Sequence, residues 1–258
     1  MTTLAAIAFV IVLWSFSTAV IFYLDSLPIS TFKFSMAAAT LGLSACAFAI
    51  WQLRDASTTY AIYTSFAAGL LAWGWTEMAL YMGYITGPRK QACALGCSGV
   101  AHFGHAINAN LWHEIVVIAF AAAIYFSGNQ TAFWCFTMLW LMHLSARLNV
   151  FLGVRNVSAE FVPDHMAVLK SFLRRRNMNA LFPFSCAALA ALTIYLVSLP
   201  QTVEITMAST LAAIGLLEHI LLMLPLPTEK IWIWALSKKA KNSKPKPDHH
   251  HTAVGALL

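Results

Sequence analysis

Residues 107–152 read INANLWHEIVVIAFAAAIYFSGNQTAFWCFTMLWLMHLSARLNVFL. Two apolar runs, 107–127 and 131–152, fill most of this stretch, and each has the roughly 20 residues that a helix needs to cross a bilayer. The whole chain has the same character, since 60% of its residues are hydrophobic and only 10% are charged. This composition excludes an ordinary soluble domain. The sequence therefore predicts an all-α, polytopic membrane protein.

Further apolar runs bring the expected number of transmembrane helices to about seven. They lie near 4–24, 32–53, 59–85, 107–127, 131–152, 181–199 and 204–224. No repeat or soluble domain interrupts them, so residues 1–227 are predicted to form a single transmembrane domain and residues 228–258 a basic, partly disordered tail. The first run lacks the positive n-region and the cleavage site of a secretory signal, so we interpret it as a retained span.

The distribution of lysine and arginine predicts the orientation of the chain. With seven spans, the tail lysines and most other basic residues fall on one side of the membrane, whereas only Arg54 falls on the other. Because cytoplasmic loops carry the excess of basic residues, the N-terminus is expected outside and the C-terminus in the cytoplasm. The segment 153–180 is expected to lie along the cytoplasmic surface, with membrane lipid as its partner. No nucleic-acid partner is expected.

Three glutamates, Glu77, Glu114 and Glu218, lie inside these apolar stretches, and two of them have a neighbouring histidine, His113 and His219. A carboxylate at membrane depth is costly unless it is paired, protonated or metal-bound, so such residues indicate a functional site. At about 1.5 Å of rise per residue, all three lie roughly 9–12 Å below the cytoplasmic interface. His143 and Arg147 fall in the same layer. We expect a polar pocket among spans three, four, five and seven.

Three interpretations of this pocket remain open. Carboxylates and imidazoles suit a di-metal centre, although di-iron bundles use Glu-x-x-His pairs and the adjacent pairs here diverge by about 100°. A pigment or quinone pocket would use a histidine as ligand and tryptophans such as Trp73, Trp112 and Trp140 as walls. In the third interpretation, the glutamates pair with Arg147 and the histidines to fix helix packing. As a class of function, a proton-coupled transporter would also use paired acids, but it ranks last because the outer half of the bundle offers no matching polar path.

No motif of hydrolase or nucleotide chemistry occurs in the chain, so no catalytic residue is assigned. The five cysteines are not expected to form disulfides, because three lie within spans and Cys93 and Cys97 lie on the reducing side. Cys93-x3-Cys97 followed by His102-x2-His105 fits the spacing of structural zinc loosely, and the histidines equally suit the start of an interfacial helix. No role is assigned to His249–His251.

Several stretches carry a resemblance to a known family. They are Trp73-Gly-Trp-Thr-Glu-Met-Ala, Thr86-Gly-Pro-Arg, Trp112-His-Glu, Ser145-Ala-Arg-Leu-Asn-Val-Phe-Leu-Gly-Val-Arg-Asn, Glu160-Phe-Val-Pro-Asp-His, Met178-Asn-Ala-Leu-Phe-Pro, Leu217-Glu-His and Leu224-Pro-Leu-Pro. In these stretches the chain resembles the PuhE family of photosynthetic complex assembly proteins of purple phototrophic bacteria. The chain departs from the family pattern at His143, where arginine is usual, and at Arg147, where lysine is more frequent.

The resemblance implies a role in assembling the photosynthetic reaction centre and core antenna complex. It places the protein in the bacterial inner membrane, cytoplasmic or intracytoplasmic, with reaction-centre or antenna subunits as partners and bacteriochlorophyll or quinone as candidate ligands. The predicted pocket residues are Glu77, His113, Glu114, Arg147, Asn149, Glu218 and His219. The residues that match motif positions are Glu77, His113, Glu114, Asn149, Glu160, His165, Glu218 and His219. Of these, Glu160 and His165 form either a lid over the pocket or a solvated turn. The competing hypothesis is a membrane metal-dependent oxidase or hydroxylase acting on a lipophilic pigment or quinone precursor.

Overall fold

A computed structural model describes residues 2–94, 96–157, 162 and 164–224. The helices are α1 (Thr2–Asp25), α2 (Phe32–Gln52), α3 (Thr59–Tyr81), α4 (Gly99–Ser127), α5 (Gln130–Leu152), α6 (Ala167–Lys170), α7 (Leu181–Ser198) and α8 (Val203–Leu221). The predicted tail, 228–258, with His249–His251, lies outside the described residues, as does Glu160 of the predicted lid.

Six of these helices, α1, α2, α4, α5, α7 and α8, are long and apolar enough to cross a membrane. Large apolar side chains such as Phe16, Leu41 and Phe184 are exposed on their outer surfaces. Lipid can cover such surfaces, whereas water would not favour their exposure. The prediction of an all-α, polytopic membrane protein is confirmed, while its orientation stays a prediction.

The helix expected as the third span, α3, is not among those six. It packs against α1, α2, α4, α5 and α8, and 15 of its 23 residues are buried. Because protein rather than lipid surrounds α3, its polar side chains can find partners inside the bundle. A central position thus explains how a helix that is not apolar enough to count as a lipid-facing span is accommodated in the bundle.

Contacts at its two ends show that α3 runs the full length of the bundle. Near its start, the Asn129 side chain donates to Ser65 Oγ (2.8 Å) and to the carbonyl of Ile50 at the end of α2 (3.1 Å). At its end, His165 Nε2 donates to the Tyr81 carbonyl (2.7 Å), and the His165 ring contacts Phe32 at the start of α2. α3 therefore extends between the two ends of the bundle, and the expected count of about seven membrane-spanning helices stays a prediction beside the six that meet the criterion.

The described residues of the expected surface segment 153–180 form a cap on one end of the bundle and include one short α-helix, α6. Its backbone is tied to the end of α5 through Arg174 N to Val150 O and Arg176 N to Val154 O. Phe172, a residue of this segment, is completely buried. The segment therefore packs inward on the bundle through its apolar side chains.

A glycine sets the closest approach of α3 and α5. A Cβ atom at Gly69 would lie 2.6 Å from the backbone oxygen of Ala132, whereas a Cβ atom at Gly42 on α2 would meet nothing within 4 Å. Small residues allow this close packing in membrane bundles, where van der Waals contact contributes much of the association energy. The α3–α5 contact matters because these two helices carry Glu77 and Arg147.

We predict that Gly69→Ala destabilises the protein by about 1–3 kcal/mol, because the added methyl group overlaps a backbone atom that cannot rotate away. Gly42→Ala is the matched control, since it makes the same change in an exposed helix and is expected to be neutral or to stabilise by up to about 1 kcal/mol. Thermal unfolding of both variants in detergent measures the difference. Equal midpoints would contradict close α3–α5 packing at Gly69.

Candidate functional site

One arginine joins three helices in the polar layer. Arg147 on α5 contacts Glu77 on α3 (Nη2 to Oε1, 3.3 Å) and Glu114 on α4 (Nη1 to Oε1, 2.5 Å). Trp140, two turns before Arg147, donates its indole N–H to the second oxygen of Glu114 (3.0 Å). All three charged side chains are at least four-fifths buried. A planar guanidinium with donors on two sides can serve two carboxylates at once, which a lysine ammonium does less well.

Two imidazoles lie on the other side of Glu77. His113 Nε2 is 3.3 Å from Oε1, and His143 Nε2 is 3.0 Å from Oε2. Neither Glu77 Oε2 nor His113 Nε2 has a partner with hydrogen-bond geometry among the described residues. These contacts are ionic only when the imidazoles are protonated. Glu77 therefore combines one strong charge partner with an acceptor oxygen that is not fully satisfied.

The loop after α3 positions the turn of α4 that carries His113. The carbonyl of Thr86 accepts the backbone N–H of His113 at 2.9 Å. Gly87 lies directly on α4, where a Cβ atom would overlap the backbone of Asn108 and Ala109. The backbone of Thr86 and Gly87 thus packs directly on α4, and only glycine fits at position 87.

The two neighbouring residues of α8 have different surroundings. His219 is buried, where its Nδ1 donates to the carbonyl of Gly215 (2.8 Å) and its Nε2 accepts from Ser145 Oγ (3.0 Å). Glu218 is exposed and lines a cavity that Glu77 and His143 also line. The expected 100° divergence of adjacent helical residues accounts for this separation.

Asn149 belongs to a separate contact between α5 and α7. Its side-chain amide donates to the carbonyl of Ser145 and to Ser185 Oγ, both at 2.9 Å. The structure thus brings four of the predicted pocket residues together, Glu77, His113, Glu114 and Arg147. Glu218 lines the same cavity as Glu77. Asn149 and His219 instead form hydrogen bonds that join helices.

The cavity has a volume of about 150 Å³ and lies between α1, α3, α5 and α8. Its walls are mostly apolar, including Trp14 and Trp73, and its ionisable groups are Glu77, Tyr81, His143 and Glu218. Pockets for larger ligands occupy about 300–1,000 Å³, so a complete chlorin ring does not fit. A single side chain, one small ring or a few waters match this volume.

Sequence reasoning missed one member of this layer, and it placed His143 in the layer without assigning it to the pocket. Asp25, the last residue of α1, is buried and lies within electrostatic range of Glu77. An acid before Ser26 and Pro28 resembles an ordinary helix end, so only tertiary packing reveals its burial. His143 was not assigned to the pocket, because the family resemblance favours arginine there. Its i, i+4 spacing to Arg147 was the available signal that both face the same neighbour.

The predicted di-metal interpretation has little support in the glutamate layer, because the Arg147 cation already pairs with Glu77 and Glu114. Among the described residues, the group of His, Cys, Asp and Glu side chains close enough to share a metal consists of Cys93, Cys97 and His102. That group lies outside the glutamate layer. The predicted lid residue His165 docks on the Tyr81 carbonyl at the end of α3, and its role as a lid stays a prediction.

Comparison with known proteins gives the family. A family model described as "Protein of unknown function (DUF3623)" matches residues 1–243. The chain belongs to this family. It is also 33% identical over 193 residues, 70% of each chain, to an uncharacterized 30.4 kDa protein in the puhA 5′ region of Rhodobacter capsulatus. No solved structure matches the chain.

We predict that Arg147→Met destabilises the protein by about 3–5 kcal/mol, because it leaves two carboxylates buried without their cation. Replacing the exposed Arg155 by Met removes the same charge from the surface and is expected to change stability by less than about 1 kcal/mol. Unfolding of both variants in detergent measures these changes.

A double-mutant cycle with Glu114→Gln separates the ion pair from general packing. We expect the double variant to lose less stability than the sum of the two single variants, since removing one partner already removes the pair. Strictly additive losses would contradict a direct interaction between Arg147 and Glu114.

Proposed function

We propose that this protein assists the assembly of the photosynthetic reaction centre and core antenna complex in a bacterial inner membrane. The observation that carries this proposal is the relative in the puhA 5′ region, which fits a photosynthesis-operon protein. The PuhE-like motifs support the same role. In this proposal the N-terminus lies outside, and the basic end of the bundle faces the cytoplasm, where it meets anionic lipid.

The cavity is proposed to receive one side chain from a subunit under assembly. Glu77 and Glu218 give its wall a negative character, and its volume suits a side chain better than a complete pigment. Glu218 is accessible and follows Leu217, whose apolar side chain is exposed on the same part of α8. A transmembrane helix that approaches this surface could therefore present a cationic or hydrogen-bonding side chain to Glu218.

The charges of the network favour such an occupant. Arg147 is shared by Glu77 and Glu114, so one guanidinium faces two carboxylates. Glu218 has no cation within salt-bridge distance among the described residues. A carboxylate at this depth is stabilised by a donor from a partner, because lipid provides none. The Glu77–Arg147–Glu114 network is thus already paired within the protein, whereas Glu218 supplies the carboxylate that the partner contacts.

The alternative is a membrane metal-dependent oxidase or hydroxylase for a lipophilic pigment or quinone precursor. The observation that favours it is the pair of buried atoms without hydrogen-bond partners, Glu77 Oε2 and His113 Nε2. Iron or manganese that co-purifies and is lost in Glu114→Ala would support the enzyme. Retention of a metal in Glu114→Ala would assign that metal to another site. A proton-coupled transporter would require substrate-dependent proton flux in vesicles.

We predict that Glu218→Gln lowers the amount of assembled complex in phototrophically grown cells, toward the level of a strain that lacks the gene. Glutamine keeps the size of the side chain and removes the charge that attracts the partner. Glu204→Gln is the matched control, because Glu204 lies in the first turn of the same helix, at the opposite end. Near-infrared absorbance of membranes, with immunoblots of the variant protein, provides the measurement.

Normal complex in Glu218→Gln cells would contradict a role for this carboxylate. An equal loss of complex in both variants, at normal protein levels, would likewise show that the effect does not come from the cavity. Loss of the variant protein itself would be resolved by Glu218→Asp, which keeps the charge and is expected to restore assembly at least in part.

A further inference from the structure

A second cluster of chemically reactive side chains lies at the capped end of the bundle, outside the glutamate layer. The Sγ atoms of Cys93 and Cys97 and a ring nitrogen of His102 lie within 4.8 Å of one another. Both cysteines are half-buried, and His102 is buried at the start of α4. We call these three residues the Cys/His cluster. The proposed assembly function makes no use of it.

The distances in this cluster are near those of a tetrahedral zinc site, so small side-chain shifts would bring the ligand atoms to one ion. Zinc bonds of roughly 2.3 Å to sulfur and 2.0 Å to nitrogen place neighbouring ligand atoms roughly 3.3–3.8 Å apart. Cys93 Sγ is 3.1 Å from His102 Nδ1, and Cys97 Sγ is 3.6 Å from Nδ1 of His105. His105 lies one turn after His102 on α4; it is not one of the three residues that already share one centre, but its contact with Cys97 lets a rotation of its side chain supply a fourth ligand atom. Thiolates and imidazoles together select zinc over hard cations such as magnesium.

The contacts around His102 resemble those of a metal ligand. Its second ring nitrogen, Nε2, is 3.2 Å from the carbonyl of Phe172. Ligating histidines typically donate their other N–H to such an acceptor, which fixes the ring and its tautomer. Arg174 Nε lies 3.1 Å from the same nitrogen, so Nε2 either donates to the carbonyl or accepts from the guanidinium. A metal on Nδ1 selects the first arrangement.

The backbone around the cluster is also held in place. The N–H of Cys93 donates to Ser171 Oγ at 2.8 Å, and Arg174 donates from Nη2 to the carbonyl of Cys97. Two residues of the cap, Ser171 and Arg174, therefore hold the residues on either side of the turn that carries the two cysteines. This arrangement gives a ligand set fixed by its surroundings, which favours metal binding over a chance meeting of side chains.

We propose that Cys93, Cys97 and His102, with His105 as the fourth ligand, bind a structural zinc ion. The ion would join the loop after α3 to the start of α4 beneath the 153–180 cap. Two adjacent thiols ionise together most readily when a cation takes up their charge.

The test uses the full-length chain with His249→Ala, His250→Ala and His251→Ala, because tail histidines can bind metal independently. The protein is purified under reducing conditions and its zinc is measured by elemental analysis. Cobalt(II) is then exchanged for zinc, and the visible spectrum is recorded. We expect stoichiometric zinc and the absorption of a tetrahedral cobalt–thiolate site. The spectrum needs no ligand variant, so it does not depend on whether such a variant folds.

Cys97→Ser should abolish the cobalt–thiolate absorption, whereas Cys186→Ser on α7 should preserve it. Glu114→Ala should retain the zinc, which separates this site from any metal in the glutamate layer. Three results would overturn the proposal. The first is reduced protein, with all four ligand residues intact, that binds neither zinc nor cobalt. The second is a Cys93–Cys97 disulfide in protein taken directly from cells, and the third is equal cobalt spectra for Cys97→Ser and Cys186→Ser.

Discussion

The rest of the structure depends on the pairing of Arg147 with Glu77 and Glu114 inside an apolar bundle. Each carboxylate alone would be costly at membrane depth, and neither α3 nor α4 carries a cation beside it within its own helix. The cation comes from α5, so the three helices must assemble in one arrangement to satisfy the charges. Buried ion pairs contribute more to specifying such an arrangement than to net stability.

The close contact of α3 with α5 allows this pairing to form. Gly69 removes the side chain that would separate the helices, and Gly87 lets the following loop lie directly on α4. The Thr86 carbonyl then accepts the N–H of His113. Backbone contacts at two glycines therefore hold the network at its ends. The outcome is a rigid polar layer on one side of the cavity and an accessible acid, Glu218, at its edge.

The sequence predicted the helices well because apolar runs of spanning length leave few alternatives. The run 131–152 corresponds to α5 (Gln130–Leu152). The run 59–85, in contrast, predicted a third helix longer than α3 (Thr59–Tyr81). That helix ends at Tyr81, because Gly83 adopts a positive φ of 80° that an α-helix cannot continue. Similarly, α4 starts at Gly99, well before 107, since its first turns pack beneath the cap through His102 and Phe103.

The candidate site was predictable in its layer but only partly in its partners. Depth along each helix follows from rise per residue, which placed Glu77, Glu114 and Glu218 together. Rotation of one helix relative to another does not follow from sequence in this way, so the inward position of His219 and the contact of His143 with Glu77 appeared only in the structure. Asp25 became part of the layer through tertiary burial, which no local pattern indicates.

The most direct measurement of the central claim is crosslinking from the surface beside Glu218. A photo-reactive amino acid at Leu217, introduced in phototrophically growing cells, should capture a reaction-centre or antenna subunit, and Glu218→Gln should remove that crosslink. The same amino acid at Val197 provides the control. Val197 is exposed at the end of α7, near the start of α8, whereas Leu217 lies near the end of α8. Capture from Val197 and Leu217 alike, or a crosslink at Leu217 that persists without the Glu218 charge, would contradict recognition through the cavity.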